Sequence, residues 1–329
     1  TYEWLELKTL DILFTYYPEI CEITGQKQIL LDNPAVVITK DQSFQSKFGH
    51  SPTRKDFAQL LNNLKKQGVK TAAFDFIYDE PGIQEDDEEL INQLSTFPYP
   101  ILALHFVNRG QQNFSLIDIN DNNAERPPLP TELYKPISEK AAAKGLINMP
   151  ADLDSTIRYA PLAFHPADSD RFLPSLGFSA WINALLCKQE NLISKIDLSK
   201  AANLHEAFDL INKEAPFNFI SVGHDGLDRC IAEQEALHIF RYITKNFPNL
   251  KPQNNEISVE TIIANAQIKP KTWVNLPSKV LPIIGSYHTP CLRIPFKKLP
   301  APFKGDGIET ISMTRLVESA EEESSSFMF

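Results

Sequence analysis

Eight carboxylates fall within the sixteen residues from Asp75 to Leu90, with no Lys or Arg among them. Carboxylates gathered this way can ligate a hard cation, hold a cationic ligand or share protons in acid–base work. The first of them, Asp75, stands in the middle of an apolar run, TAAFDFIY. A lone charge in a buried strand costs several kcal/mol unless it is paired. Asp75 is therefore expected to have a cationic partner, a metal or a raised pKa, and Arg54 upstream is the nearest obvious candidate partner.

Other residues join these by position. Asp41 follows the strand-like PAVVITK, Glu80 and Asp87 belong to the acidic run, and His105 ends the apolar PILALHF. Arg158 follows the acidic turn DLDST and is expected to anchor it through carbonyls or Asp152 and Asp154. These residues, Asp41, Arg54, Asp75, Glu80, Asp87, His105 and Arg158, form the candidate ligand crevice or structural polar cluster. His105 is expected to be a satisfied core histidine, and the aromatic residues Phe74, Phe76 and Tyr78 to be core.

No catalytic residue, metal site or cofactor is assigned. The outer acids Asp79, Glu80, Asp86 and Asp87 lack EF-hand spacing and read as a solubilising loop running into a helix N-terminus. There is no GxGxxG or GxxxxGK[ST] loop, no HExxH and no GxSxG. Ser286 and His288 in GSYHTP are near neighbours in sequence, whereas a catalytic Ser–His pair is built across a fold.

The elements that must position these groups follow from periodicity. Residues 2–16 show a helical pattern, PAVVITK a strand, residues 55–67 a helix with Phe57, Leu60, Leu61 and Leu64 on one face, and TAAFDFIY a strand. Residues 85–96 read as a helix with an acidic first turn, and PILALHFV as a third apolar strand. Continuous apolar strands separated by amphipathic helices predict an α/β fold, with a mostly parallel central sheet and helices on both faces. Ligands of such sheets gather at the carboxyl ends of the strands, where Asp41, Asp75, Asp79, Glu80 and His105 fall.

Residues 108–136 are polar and Pro-rich and read as a long loop or flap. A strong helix over 173–187 precedes a less regular C-terminal elaboration over about 188–275, with a short strand at FNFISVG. KVLPIIGS (279–286) reads as a strand, and residues 306–320 as a final amphipathic helix. Without an internal repeat or linker, one domain over 1–329 is expected, its α/β core covering about 1–187 and 276–320.

Composition narrows the partners. A formal charge of −10 with no basic patch argues against nucleic acid and anionic lipid surfaces. No apolar run approaches the ~20 residues a membrane span needs. A start at Thr1 and an end in SSSFMF fit a piece cut at the edge of a membrane helix. The four cysteines, Cys21, Cys187, Cys230 and Cys291, show no zinc spacing, and their spacing chooses no disulfide pairing.

The ordered series RKDFAQLLNNLKKQGVKTAAFDF, then DEP, PILALHF, AAAKGLINMPADLDSTIRYAPL, PSLGFSAWINAL and KVLPIIGSYHTP with GDGIET resembles the CHASE2 family of bacterial extracytoplasmic sensor domains over nearly the whole chain. LELKTLDILF is similar to the helix that follows the family's first membrane span. The chain departs from the family pattern at Ser155, which replaces a usual Gly, in FGHSPTR, in the shortened SYHTP and most widely over 217–275. The resemblance implies a periplasmic domain of an inner-membrane receptor, with one membrane helix before it and usually three after. It also implies a homodimer formed through the full-length receptor, an unidentified stimulus, and a cytoplasmic output such as a cyclase, kinase or diguanylate cyclase. No catalysis by the domain itself is implied. The terminal segments 2–16 and 306–320 would carry the signal. A metal-dependent hydrolase using the strand-end carboxylates and a soluble ligand-binding protein are the competing readings.

Overall fold

The computed structural model describes residues 36–40, 42–106, 130–148, 159–164, 172–214, 220–221, 225–250, 272–273, 281–283, 289–293 and 309–318. At its centre three strands, β2 (Thr71–Phe74), β3 (Tyr99–Leu104) and β4 (Ala143–Leu146), form a parallel sheet in the order β2-β3-β4. The register runs from Thr71 opposite Tyr99 to Phe74 opposite Leu102, and from Ile101 opposite Ala143 to Leu104 opposite Leu146. All six residues of β3 are buried, as its continuous apolar sequence demands of a central parallel strand.

Helix α1 (Gln42–Phe48) and helix α2 (Arg54–Lys66) precede β2, and helix α3 (Gln84–Thr96) links β2 to β3. Thr53 starts α2 with a capping box: its hydroxyl receives the Asp56 N–H, and the Asp56 carboxylate receives the Thr53 N–H at 2.7 Å. Gly68 ends it at φ +83°, a left-handed conformation that favours glycine. There Gly68 N–H donates to the Lys65 carbonyl and Val69 N–H to the Leu64 carbonyl, both at 3.0 Å. Phe57, Leu60, Leu61 and Leu64 of α2 then pack with Leu90 and Leu94 of α3 over Phe74, Leu102 and Leu104.

The opposite face of the sheet is covered by helix α5 (Leu176–Ile193), which follows a short helix α4 (Lys135–Ser138) and contacts all three strands. The sheet thus carries helices on both faces, as the apolar strands predict. Gly145 makes the closest approach: a Cβ there would stand 2.5 Å from the Leu176 Cα at the start of α5. Helix α6 (Leu204–Glu214) and helix α7 (Asp225–Asn246) build a second core with the end of α5, around Ile193, Leu204, Phe208, Ile211 and Ile239. A third cluster joins α5 to α7 through Phe178, Ile182, Leu186, Leu227 and Ile231.

The two ends of the described chain meet. Strand β1 (Val36–Thr39) pairs in parallel with a strand at Glu309–Ser312, placing Val36 opposite Glu309 and Thr39 opposite Ser312. Between them in sequence lie five short strands: β5 (Tyr159–Pro161), β6 (Ala163–Phe164), β7 (Leu173–Pro174), β8 (Ile220–Ser221) and β9 (Thr272–Trp273). Two more follow, β10 (Leu281–Ile283) and β11 (Thr289–Arg293), which with β5 make an antiparallel sheet. The terminal strand is therefore β12, and a short helix α8 (Met313–Glu318) follows it.

The expected helix over 306–320 is half strand for this reason. Glu309–Ser312 finds a partner in β1, and Met313–Glu318 turns helical, carrying Met313, Leu316 and Val317 into the core under α2. The expected strand TAAFDFIY is likewise shorter, ending at Phe74 where its pairing with β3 stops. Expectations for residues 2–16 and for Asp41 and Arg158 fall outside the described residues.

Candidate functional site

The carboxyl edge of the sheet is built from the segments that leave β2, β3 and β4. Asp75 is exposed there, not buried. β2 is an edge strand among the described residues, and Asp75 lies one residue past its last pair, so water solvates it and no partner is required. Phe76 is also partly exposed, although its ring rests 4.5 Å from that of Phe57, whereas Phe74 and Tyr78 are core. Asp79 and Glu80 are exposed as well.

The partner of Arg54 is Asp87. From the first turn of α2 the guanidinium donates through Nη1 to Asp87 Oδ1 and through Nη2 to the Glu80 carbonyl at 2.6 Å. The second oxygen of Asp87 accepts the Gly82 N–H at 2.9 Å, and the guanidinium carbon sits 5.3 Å above the centre of the Tyr78 ring. Asp87 is only 4% exposed, so this is a shielded ion pair with its lone pairs taken up, the arrangement in which a buried charge is tolerated. Glu80 joins through its backbone and not its carboxylate. Gly82 is required by proximity: a Cβ would come within 2.8 Å of Arg54 Nη1 and 3.0 Å of Asp87 Oδ1.

A strap from residue 130 to Tyr134 crosses this edge. Tyr134 N–H donates to the Tyr78 carbonyl at 2.6 Å, and Thr131 N–H to the His105 carbonyl at 3.0 Å. Beyond β4, the Asn148 side-chain oxygen accepts the Phe106 N–H at 2.9 Å. Two polar atoms on the strapped segments, Tyr78 Oη and His105 Nδ1, are buried without a hydrogen-bond partner. His105 is thus not the satisfied core histidine its sequence context predicts. Burial pushes the Tyr78 phenol up, against the opposing charge of Arg54. Unsatisfied buried polar atoms of this kind are uncommon and cost free energy, and a ligand that bonds to them recovers it.

A second polar cluster lies at the amino edge, and sequence reasoning missed it. Glu190 on α5 accepts the Tyr99 hydroxyl and Lys70 Nζ at 3.3 Å, and stands 3.5 Å from His238 Nε2 on α7. The His238 ring stacks on Tyr99 at 4.2 Å, and Arg241 donates to the Ala141 carbonyl just before β4. Burial opposes ionisation of Glu190, but His238, Tyr99 and Lys70 outweigh it and lower its pKa to about 2. The available signal was His238 among the apolar residues of α7, with Glu190 on the separate helix α5. Residues 99, 190 and 238 are brought together only by tertiary packing.

Among the described residues no group of three His, Cys, Asp or Glu side chains converges as cation ligands would. The carboxylate and guanidinium of the Arg54–Asp87 pair are occupied by each other and by backbone. Cys187 and Cys230 are free thiols, and burial raises both, Cys230 to about 12, which leaves neither an activated nucleophile. Among the described residues no helix is long and apolar enough to cross a membrane.

No curated protein and no solved structure matches this chain. A family model, the CHASE2 domain, does match, over residues 1–289. A match across that much of the chain, together with the parallel sheet and the capped α2 helix carrying Arg54, establishes that the chain belongs to the CHASE2 domain family of extracytoplasmic sensory domains.

Proposed function

We propose that this domain is the periplasmic part of a transmembrane receptor, in which a stimulus read at the carboxyl edge of the sheet is passed through α2 to the paired terminal strands. The observation that carries this reading is the double attachment of α2. Its first residue, Arg54, holds the acidic loop through Asp87 and the Glu80 carbonyl. About 14 Å along the helix axis, Asn63 Nδ2 donates to the Leu316 carbonyl at 2.6 Å, and about 8 Å along it Gln59 Nε2 donates to the Val317 carbonyl at 3.1 Å. Ser43 on α1 adds hydroxyl contacts to Thr314 at 2.9 Å and Ser312 at 3.1 Å.

A rigid helix fixed at both ends transmits displacement with little loss, because packed cores are bistable and not continuously deformable. A ligand bonding to Tyr78 Oη or His105 Nδ1 would favour one position of the strapped loop over another. It shifts the equilibrium only by its difference in affinity for the two. In a receptor, the segments flanking β1 and β12 lead to membrane helices and a cytoplasmic cyclase or kinase output, and two copies associate through the full-length protein.

The test uses the full-length protein in membranes. A reporter active only outside the cytoplasm is inserted in the exposed turn at Pro248 and Asn249, and output is measured for Asn63→Ala and Asp75→Asn. The reading expects an active reporter, altered output for Asn63→Ala and unchanged output for Asp75→Asn. An inactive reporter in a folded domain, or output indifferent to Asn63, overturns it.

A further inference from the structure

Glu235 has no role in the carboxyl-edge site or in the α2 connection, yet it is a buried carboxyl, 1% exposed, with both oxygens unpartnered. It lies on α7 one turn before His238, in the helix that packs on α5. We propose that Glu235 makes the docking of α7 on α5 a proton-gated switch, closed while the carboxyl is neutral and progressively opened as pH rises.

The physical case begins with what surrounds the carboxyl. From α5 Glu190 faces His238 of α7 while Cys187 contacts Thr71 of β2, and from the sheet comes Tyr99, with Lys70 at its margin. On α7 itself Asp228, Arg229, Cys230, His238, Arg241 and Tyr242 lie within two turns, and Glu233 is two residues away. From α6 the inward residues are Leu204, Ala207, Phe208 and Ile211, while His205, Glu206, Asp209, Lys213 and Glu214 are exposed. The strands β7 and β8, which also touch α7, bring no titratable group. The cations on the adjoining segments are engaged elsewhere: Lys70 by Glu190, Arg241 by the Ala141 carbonyl and Arg229 by Glu233.

Among the described residues no cation bonds to Glu235, and burial raises its pKa to about 8. Once α7 lifts, the carboxyl meets water and returns to its ordinary value of 4.5. The sign follows. Between those two values the closed form holds a proton that the open form releases, so rising pH favours opening and the effect levels off above the upper value. The open fraction grows by up to about tenfold per pH unit across that window.

Opening has a route to the rest of the domain. His238 and Arg241, on the same helix, tie α7 to Tyr99 at the start of β3 and to Ala141 before β4. Lifting α7 would release both and free the amino edge of the sheet.

The test is amide hydrogen exchange on the 329-residue chain from pH 5 to pH 9, corrected for the intrinsic rate. Opening of residues 225–246 is expected to rise with pH in the native protein and to stay flat in Glu235→Gln. His238→Asn separates the neighbouring imidazole and is expected to keep the slope. Should Glu235→Gln fail to fold, the carboxyl carbon resonance of Glu235 in the native chain is titrated instead, and a midpoint above pH 6 is expected. An equal pH slope in native and Glu235→Gln proteins, loss of the slope in His238→Asn alone, or a Glu235 midpoint below pH 6, overturns the proposal.

Discussion

Arg54 and Asp87 stand 33 positions apart and close one ion pair across the mouth of the acidic loop, with Gly82 N–H and the Glu80 carbonyl completing it. The acidic run is therefore not uniform. One of its members is shielded and structural, and the exposed ones, Asp75 among them, carry no such load. Asp87→Ala should cost about 3–5 kcal/mol in urea unfolding, since it leaves a shielded guanidinium unpaired. Asp75→Asn should stay within about 0.5 kcal/mol of the native protein. Equal losses from the two would remove the distinction.

The two close-approach glycines should differ in severity. A Cβ at Gly82 meets the ends of the Arg54 and Asp87 side chains, which can shift, so Gly82→Ala is expected to lose about 1–3 kcal/mol. At Gly145 a Cβ would meet the backbone of Ser175 and Leu176 at 2.5–2.8 Å, and a helix start cannot rotate aside. Gly145→Ala should show the larger loss of melting temperature, with reduced yield of folded protein.

Acid sensitivity should trace to Glu190. Its carboxyl is held at about 2 in the fold against an ordinary 4.5, so its stabilisation is complete above the ordinary value and is lost as pH falls toward 2. After discounting for partial solvent contact, the effect is about 2 kcal/mol. Glu190→Gln should flatten that acid limb of the stability curve, most cleanly read with Glu235→Gln in the background.

The seam between the chain ends should depend on one amide. Asn63→Ala removes the donor to the Leu316 carbonyl inside the core, an expected loss of about 1–3 kcal/mol. Hydrogen exchange should show the loss as faster opening of Val36–Thr39, because β1 keeps its pairing only while α8 holds β12 in place. Unchanged protection of β1 in a destabilised Asn63→Ala protein would separate the seam from α2.

Much of the fold is legible in the chain. The apolar runs TAAFDFIY and PILALHFV, the Thr53–Asp56 capping box and Gly68 favour strand, helix and turn locally; helix and turn form there, while the strands stop earlier, at Phe74 and Leu104. The parallel sheet follows, because strands buried on both faces need helical crossovers. The ordered series of motifs likewise carries the family by itself. Periodicity does not reveal which strand lies at an edge, and that decides whether Asp75 is dry or solvated. It also does not pair Arg54 with Asp87, bring Glu190, Tyr99 and His238 together, or join Val36 to Glu309. Local sequence sets backbone preference and apolar faces, which act over a few residues. Charge pairing and burial act through space, so only the tertiary structure could choose which carboxylate is held and which is left to water.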